Sequence, residues 1–359
     1  MLSPLLNREE LALWHELVES AQNILICVHR GPDGDAMGAS LGLASYLMQI
    51  GKSVHVIAPN AFPDFLRWID GSENVIEYDS NPERAKRMVA ATDLVFCLDF
   101  NALSRVDDLG EVLGESPAPK IMLDHHLNPQ NFAKITVSHP EMCSTCEVVF
   151  RLIWQLDGFE KMSRESAEAL YCGMMTDTGG FTYNSNSSDI YFIISQLMMK
   201  KIDKDLIYRR VFHNYSEGRI RLMGYVLYEK LYFFSDCPAS IFALTYDELK
   251  RFNYIKGDSE GLVNIPLSVK GNILSVYLRE DTEKNVIRVS LRSVEDFPCN
   301  RMAADFFHGG GHLNASGGSL NCSMKEAVEI AKRAVDAYKP LLVETLLKTK
   351  CSKEKSHVG

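Results

Sequence analysis

The sequence has no run of about 18 consecutive apolar residues, so no membrane-spanning helix is expected. Its first ten residues carry neither a basic segment nor a long apolar one. That argues against a secretory leader and for a cytoplasmic protein. No second CxxC exists to partner Cys143-Ser144-Thr145-Cys146, and the nine cysteines are scattered and odd in number. A disulfide scaffold and a structural zinc site are both disfavoured; the pair is expected as two buried or helix-start thiols. Outside the C-terminal tail there is no run of lysine and arginine, and the net charge is −9. Long nucleic acid is gripped by basic surfaces that displace many counterions. A polyanionic partner of this chain should therefore be short and held by local devices. No internal repeat or low-complexity block is visible.

What is present is a large apolar content, 46% of 359 residues, enough for two domains with sizeable cores. Four apolar runs end abruptly in Asp or His. Residues 24–28 lead to His29-Arg30-Gly31-Pro32-Asp33-Gly34-Asp35. Residues 94–98 lead to Asp99. Residues 119–123 lead to Asp124-His125-His126, and residues 169–176 lead to Asp177. A buried parallel strand looks like this when its C-terminal end opens into a site.

In chain order, a helix is expected over 8–21, a strand over 23–28, a helix over 36–50 and a strand over 53–58, which together make a βαβ unit. Asp33 or Asp35 can also serve as the helix N-cap. Small residues at Ala39, Ser40, Gly42, Ala44 and Ser45 allow that helix to pack closely. Helices are expected over 62–69, 82–91, 145–156, 164–175, 189–200, 204–212 and 216–228. Strands are expected over 93–98, 120–123 and, at an edge, 134–137. From about residue 232 the pattern turns to strands, over 239–245, 271–278 and 286–292. A closing helix spans 324–346, and a polar, disordered tail follows. His308-Gly309-Gly310-Gly311-His312-Leu313-Asn314-Ala315-Ser316-Gly317-Gly318 holds five glycines. That composition suits a phosphate cradle, with His312, Asn314 and Ser316 as interleaved donors. Arg105 is a candidate to face the strand-end site; an ordinary surface arginine is the alternative.

His29, Asp33, Asp35, Asp99, His125, His126 and Asp177 supply four carboxylates and three imidazoles. Clustered without compensation, the carboxylates would repel one another. Oxygen and imidazole donors without thiolate point to two divalent cations, Mn²⁺ first, with Mg²⁺, Co²⁺ or Zn²⁺ as alternatives. The donors are too many for one closed structural zinc.

The Asp-His-His triplet, the His29-x3-Asp33-x-Asp35 start, Asp99 and Asp177-Thr178-Gly179-Gly180-Phe181 resemble the DHH phosphoesterase superfamily. Residues from Val289-Ser290-Leu291-Arg292-Ser293 to Gly309-Gly310-Gly311-His312 resemble its DHHA1 domain. The resemblance spans roughly residues 10–345 and is strongest to the stand-alone oligoribonuclease and pAp phosphatase branch. It implies an α/β fold. An N-terminal Rossmann-like catalytic domain with a mainly parallel sheet flanked by helices covers 1–195. A helical linker covers 196–231, a smaller α/β DHHA1 domain with a mixed sheet covers 232–345, and a flexible tail covers 346–359.

The resemblance also implies roles. His29, Asp33 and Asp99 would hold one cation; Asp35, Asp99, His125 and Asp177 would hold the other. His126 would face the scissile phosphate and Asp124 would orient a neighbouring group. Arg292, Ser293, Gly309, Gly310, Gly311, His312 and Asn314 would bind the distal part of the substrate. The implied activity is cleavage of oligoribonucleotides of about two to five nucleotides to 5′-nucleoside monophosphates, with dephosphorylation of pAp. The implied partners are short single-stranded oligonucleotides, dinucleotides and pAp, with no long nucleic acid and no membrane, and a homodimer formed through the first domain. The sequence departs from the family pattern at Arg30-Gly31 and Met37, neither a ligand position. Four other readings share the first domain: a cyclic- or linear-dinucleotide signalling phosphodiesterase, a manganese pyrophosphatase, a RecJ-type exonuclease, and a non-catalytic nucleotide-binding regulator. The glycine-rich loop argues against the second. A RecJ-type enzyme usually carries a further nucleic-acid-binding domain, and an intact ligand set argues against the last.

Overall fold

The structure, a computed structural model, describes residues 2–255, 257–281 and 284–355. The chain divides into two compact units, Met1–Asn214 and Tyr215–Gly359.

The first unit is built on six strands: β1 (Asn23–Val28), β2 (Ser53–Ala58), β3 (Ile76–Glu77), β4 (Leu94–Leu98), β5 (Lys120–Asp124) and β6 (Ile135–Ser138). They are all parallel, in the order β3-β2-β1-β4-β5-β6. Its helices are α1 (Arg8–Ser20), α2 (Gly34–Gln49), α3 (Pro82–Ala90), α4 (Asp108–Glu115), α5 (Thr145–Gln155), α6 (Arg164–Asp177), α7 (Ser188–Met199) and α8 (Lys204–Phe212). Alternation along the strands sends Ile24, Ile26, Phe96, Leu98 and Ile121 to one core with α2, α5 and α6. Leu25, Cys27, Val95, Cys97 and Met122 go to the other core with α3 and α4. Because both faces are covered, the central strands read as unbroken apolar runs. Strand order reverses between β1 and β4, so the loops leaving their C-terminal ends diverge and open a crevice.

The second unit contains α9 (Glu217–Tyr225), β7 (Tyr232–Phe233), β8 (Ala239–Leu244), α10 (Tyr246–Arg251), β9 (Leu274–Glu280), β10 (Ile287–Ser293), α11 (Cys299–Phe307), β11 (Gly310–Gly311), β12 (Ala315–Leu320) and α12 (Met324–Lys355). Its sheet runs β11-β12-β10-β9-β8-β7 and is mixed, with only β8 and β9 parallel. The helices expected over 196–231 are formed and fall on both sides of the division between units. Among the described residues no helix is long and apolar enough to cross a membrane.

Several expectations are corrected. The helix expected over 164–175 is formed as α6, so the apolar run 169–176 ends a helix and, unlike the other three runs, no strand. Ser166, Ala167 and 169–175 are all buried, so the run has no polar face to reveal its period. The helix expected over 62–69 is only a 3₁₀ turn at Asp64–Leu66. Pro63 sets its start, and successive three-residue bonds carry the chain on to Gly71 at φ 80°. The helices α4, α10 and α11 were not foreseen; each is under ten residues. The closing helix continues past 346 to Lys355, with Leu342 in the core and Thr345 buried. The tail expected from 346 is therefore helical as far as it is described; 356–359 lie outside the described residues.

Candidate metal centre

The crevice gathers groups from five elements: the C-terminal ends of β1, β4 and β5, the start of α2 and the end of α6. His29 follows β1, and its Nε2 lies 3.2 Å from Asp99 Oδ2 and 3.8 Å from Asp33 Oδ1. Its Nδ1–H donates to the Arg30 carbonyl at 3.0 Å, which directs Nε2 inward. Asp33 is the N-cap of α2 and accepts from the Asp35 and Ala36 N–H groups at 3.0 Å. Asp99 follows β4 at φ 63°, a left-handed conformation that turns its carboxylate into the crevice. Donor atoms of His29, Asp33 and Asp99 all lie within 4.8 Å of one another. Asp35, His125 and Asp177 form a second such group. There His125 Nε2 stands 3.6 Å from Asp177 Oδ2, 3.8 Å from Asp35 Oδ2 and 3.6 Å from Asp99 Oδ1. Asp99 thus turns Oδ2 to the first group and Oδ1 to the second.

Asp124, fully buried at the end of β5, holds its own loop. Oδ2 accepts from the His126 N–H at 3.0 Å, and Oδ1 accepts from His126 Nδ1–H at 2.8 Å. The His126 ring is thereby fixed with Nε2 directed away from Asp124.

The first turn of α5 completes the cluster, and no sequence signal pointed to it. Thr145 N–H donates to Asp35 Oδ2 at 2.6 Å, and Cys146 N–H donates to Asp35 Oδ1 at 2.9 Å. Thr145 Oγ1–H donates to Asp99 Oδ1 at 2.8 Å. Ser144 followed by Glu147 marks a helix start in the sequence, but not what that start faces. Cys143 and Cys146 are buried thiols beside it, as expected. Burial, reinforced by neighbouring carboxylates, raises both above the usual thiol range, which suits neither metal nor redox chemistry.

The donor set fits divalent cations. Burial pushes the Asp35 carboxyl up to about 7, and the Asp99 charge adds to the push. Burial and the Asp35 charge likewise raise Asp177 well above the carboxylate range. Burial would lower His125, yet Asp177, Asp99 and Asp35 together raise it to about 9. His29 is raised too, since its bonds to Asp33 and Asp99 outweigh burial. Burial would raise Asp99, but its bond to His29 outweighs that and holds it well below the usual range. Protons therefore occupy positions that a cation would take, and binding must displace them. Cation affinity is expected to fall as pH drops through about 9 and again through about 7, as His125 and then Asp35 take up protons. Calorimetry at pH 7.5 in two buffers of different ionisation heat should show net proton release. Binding with no proton release would contradict this electrostatic picture.

The remaining candidates stand as follows. Arg105 is half-buried, and its backbone carbonyl accepts from the Arg30 N–H at 2.8 Å, which places its loop beside that of His29. In the second unit, Arg292, Ser293, Gly309, Gly310, Gly311, His312 and Asn314 gather around β10, β11 and β12. The glycine-rich segment is a strand pair rather than an open cradle: Gly310 and Gly311 face Gly317 and Ser316. A Cβ at Gly309 would lie 1.8 Å from the Gly317 carbonyl oxygen, so close backbone approach accounts for that glycine. The Asn314 amide donates to Ser293 Oγ and the Glu295 carbonyl, both at 2.9 Å, and Ser316 Oγ donates to the His312 carbonyl. Ser293 Oγ in turn donates to the Phe297 carbonyl at 2.8 Å. Asn314, Ser316 and Ser293 brace this end of the sheet, while His312 is half-buried and Arg292 bonds the Leu291 carbonyl.

The model of the DHH family, N-terminal domain, matches residues 23–174, and that of the DHHA1 domain matches residues 239–338. A Thermus thermophilus protein named bifunctional oligoribonuclease and PAP phosphatase NrnA is 30% identical over 333 residues, 91% of this chain and 94% of its own length. The Bacillus subtilis cyclic-di-AMP phosphodiesterase GdpP is 24% identical over 335 residues, 90% of this chain and 49% of its own. The crystal structure of an exopolyphosphatase-related protein from Bacteroides fragilis matches with a TM-score of 0.91 at 53% identity, covering 95% of this chain and 99% of that one.

Proposed function

The chain belongs to the DHH family, whose members hydrolyse phosphoric esters, and from that membership we propose that it degrades oligoribonucleotides of about two to five nucleotides to 5′-nucleoside monophosphates and dephosphorylates pAp, using two divalent cations, Mn²⁺ first. The observation that carries this reading is the Asp99 carboxylate, buried to 2% exposure, with one oxygen toward each of two separate donor groups. His29, Asp33 and Asp99 would hold one cation; Asp35, Asp99, His125 and Asp177 would hold the other. Bound there, the cations supply a water of lowered pKa and neutralise charge on the phosphoryl oxygens.

The chain's own groups do the rest. Asp124 fixes the His126 ring through Nδ1, and Nε2 is the atom that meets the phosphate or donates to the leaving oxygen. In the second unit, Arg292 and His312 are the groups suited to a phosphate or base, on a sheet end braced by Asn314 and Ser293. The net charge of −9 agrees with a short substrate, which needs few cationic contacts.

His126→Ala is expected to lower kcat by about 10²- to 10⁴-fold with cation stoichiometry unchanged. Loss of cations from that variant would assign His126 to the ligands instead. The test of the reading as a whole is a product time course with Mn²⁺ on pAp, pApA, a five-nucleotide RNA, a twenty-nucleotide RNA and cyclic-di-AMP. Rapid loss of the first three with the twenty-mer spared supports it. Dominant cleavage of cyclic-di-AMP would move the chain to the chemistry for which its relative GdpP is named. No turnover on any of them would sink both.

A further inference from the structure

We infer that Thr145 is the positioning residue that fixes the rotation of the Asp99 carboxylate, so that one oxygen faces each cation position. The inference rests on the two-cation reading of this site.

Four groups border the Asp99 carboxylate, of which His126 Nδ1, 3.7 Å from Oδ1, spends its proton on Asp124 instead. His29 Nε2 is 3.2 Å from Oδ2, His125 Nε2 is 3.6 Å from Oδ1, and Thr145 Oγ1 is 2.8 Å from Oδ1. The His29 and His125 contacts use the same nitrogens that would ligate a cation, so neither survives loading. The hydroxyl contact does not compete with a cation, because each carboxylate oxygen has two lone pairs. It is the contact that carries over from the empty to the loaded protein. Thr145 is wholly buried, and its hydroxyl spends its one proton on Asp99.

The segment bearing Thr145 is itself held rigid. Its neighbour Glu147, buried in the first turn of α5, accepts from the Cys143 N–H at 2.8 Å and from Arg151 Nε at 2.9 Å. Arg151 also reaches Asp189 on α7 at 2.9 Å. The same segment offers the Met142 carbonyl to His125 Nδ1–H at 3.3 Å and two N–H groups to Asp35. Residues 142–146 therefore touch donors that arrive from three different elements. Partners behind the ligands commonly govern metal affinity in this way.

Thr145→Val keeps the shape and the backbone N–H to Asp35 and deletes only the hydroxyl; Thr145→Ser restores it. With each variant checked by circular dichroism, Mn²⁺ binding is measured by calorimetry and by the melting shift that Mn²⁺ induces. Thr145→Val is expected to bind Mn²⁺ about 10- to 100-fold more weakly, with Thr145→Ser within about threefold of the parent protein. A merely structural hydroxyl would lower the melting point of the cation-free protein and leave the affinity unchanged. Equal affinity in Thr145→Val and the parent protein overturns the proposal alone. A parent protein that binds no Mn²⁺ overturns the two-cation reading beneath it. If Thr145→Val does not fold, Thr145→Ala against Thr145→Ser makes the same comparison.

Discussion

Asp99→Asn is expected to lower pApA hydrolysis by about 10³-fold or more, roughly 4 kcal/mol of transition-state stabilisation, and to cut the bound cations to at most one per chain. The choice of asparagine matters. Asp99 sits at φ 63°, where asparagine is tolerated and alanine costs about 1–2 kcal/mol of backbone strain. Asp99→Asn keeps the backbone, the shape and an oxygen that can accept from Thr145. It removes the charge that both donor groups share. Asp99→Ala would lose the same chemistry but would also melt lower for a reason unrelated to catalysis. The two variants together separate charge from strain: equal loss of activity with a lower melting point only in Asp99→Ala. Metal analysis by mass spectrometry and single-substrate kinetics read the result. An Asp99→Asn protein that keeps two cations and a rate within tenfold of the parent would remove Asp99 from the bridging role.

The residues that sequence reading placed best are those where strand burial and chemistry meet. The strands β1, β4 and β5 are buried on both faces, so each reads as an apolar run, and the first polar residue after each run marks its open end. His29, Asp99 and Asp124 stand at such ends. Asp177 was found by the same rule for the wrong reason: it ends a buried helix whose apolar surround mimics a strand. The glycine-rich segment shows the converse limit. Composition allowed a phosphate cradle, whereas Gly309 is needed for close backbone contact with β12 and Gly318 for close contact with Phe307 at the end of α11. Thr145 was illegible, because its bonds reach Asp99 and Asp35 across 46 and 110 positions, and one sequence carries no record of such pairings.

Gly38→Leu is expected to destabilise the first unit by about 3 kcal/mol or more and to abolish cation binding, although Gly38 is no ligand. Gly34, Gly38 and Gly42 recur every four residues along α2 and face α6. A Cβ at Gly38 would lie 2.5 Å from the Ala169 carbonyl oxygen and 3.0 Å from the Gly173 nitrogen. Both are backbone atoms, so no side chain can rotate away, and the helices must separate. Across the contact, a Cβ at Gly173 would meet Cys146 Sγ at 2.2 Å and the Asp35 Cα at 3.1 Å. The helix α2 carries Asp35 at its start and α6 carries Asp177 at its end, so parting the helices parts two donors of one cation group. The small residues of α2 thus set the distance between ligands as well as the packing. Even Gly38→Ala should lose stability, since the clash outweighs the gain of about 1 kcal/mol that alanine brings to a helix. Gly114→Ala in α4 is the control. Its Cβ would meet only Leu103 Cδ1, at an ordinary 3.5 Å, so the same helix gain should appear unopposed. In a unit of this size 3 kcal/mol corresponds to a melting shift of roughly 6–12 °C. Thermal denaturation with and without Mn²⁺ reads both effects. A Gly38→Leu protein that melts with the parent and still gains stability from Mn²⁺ would show that the helices tolerate separation and that ligand spacing is set elsewhere.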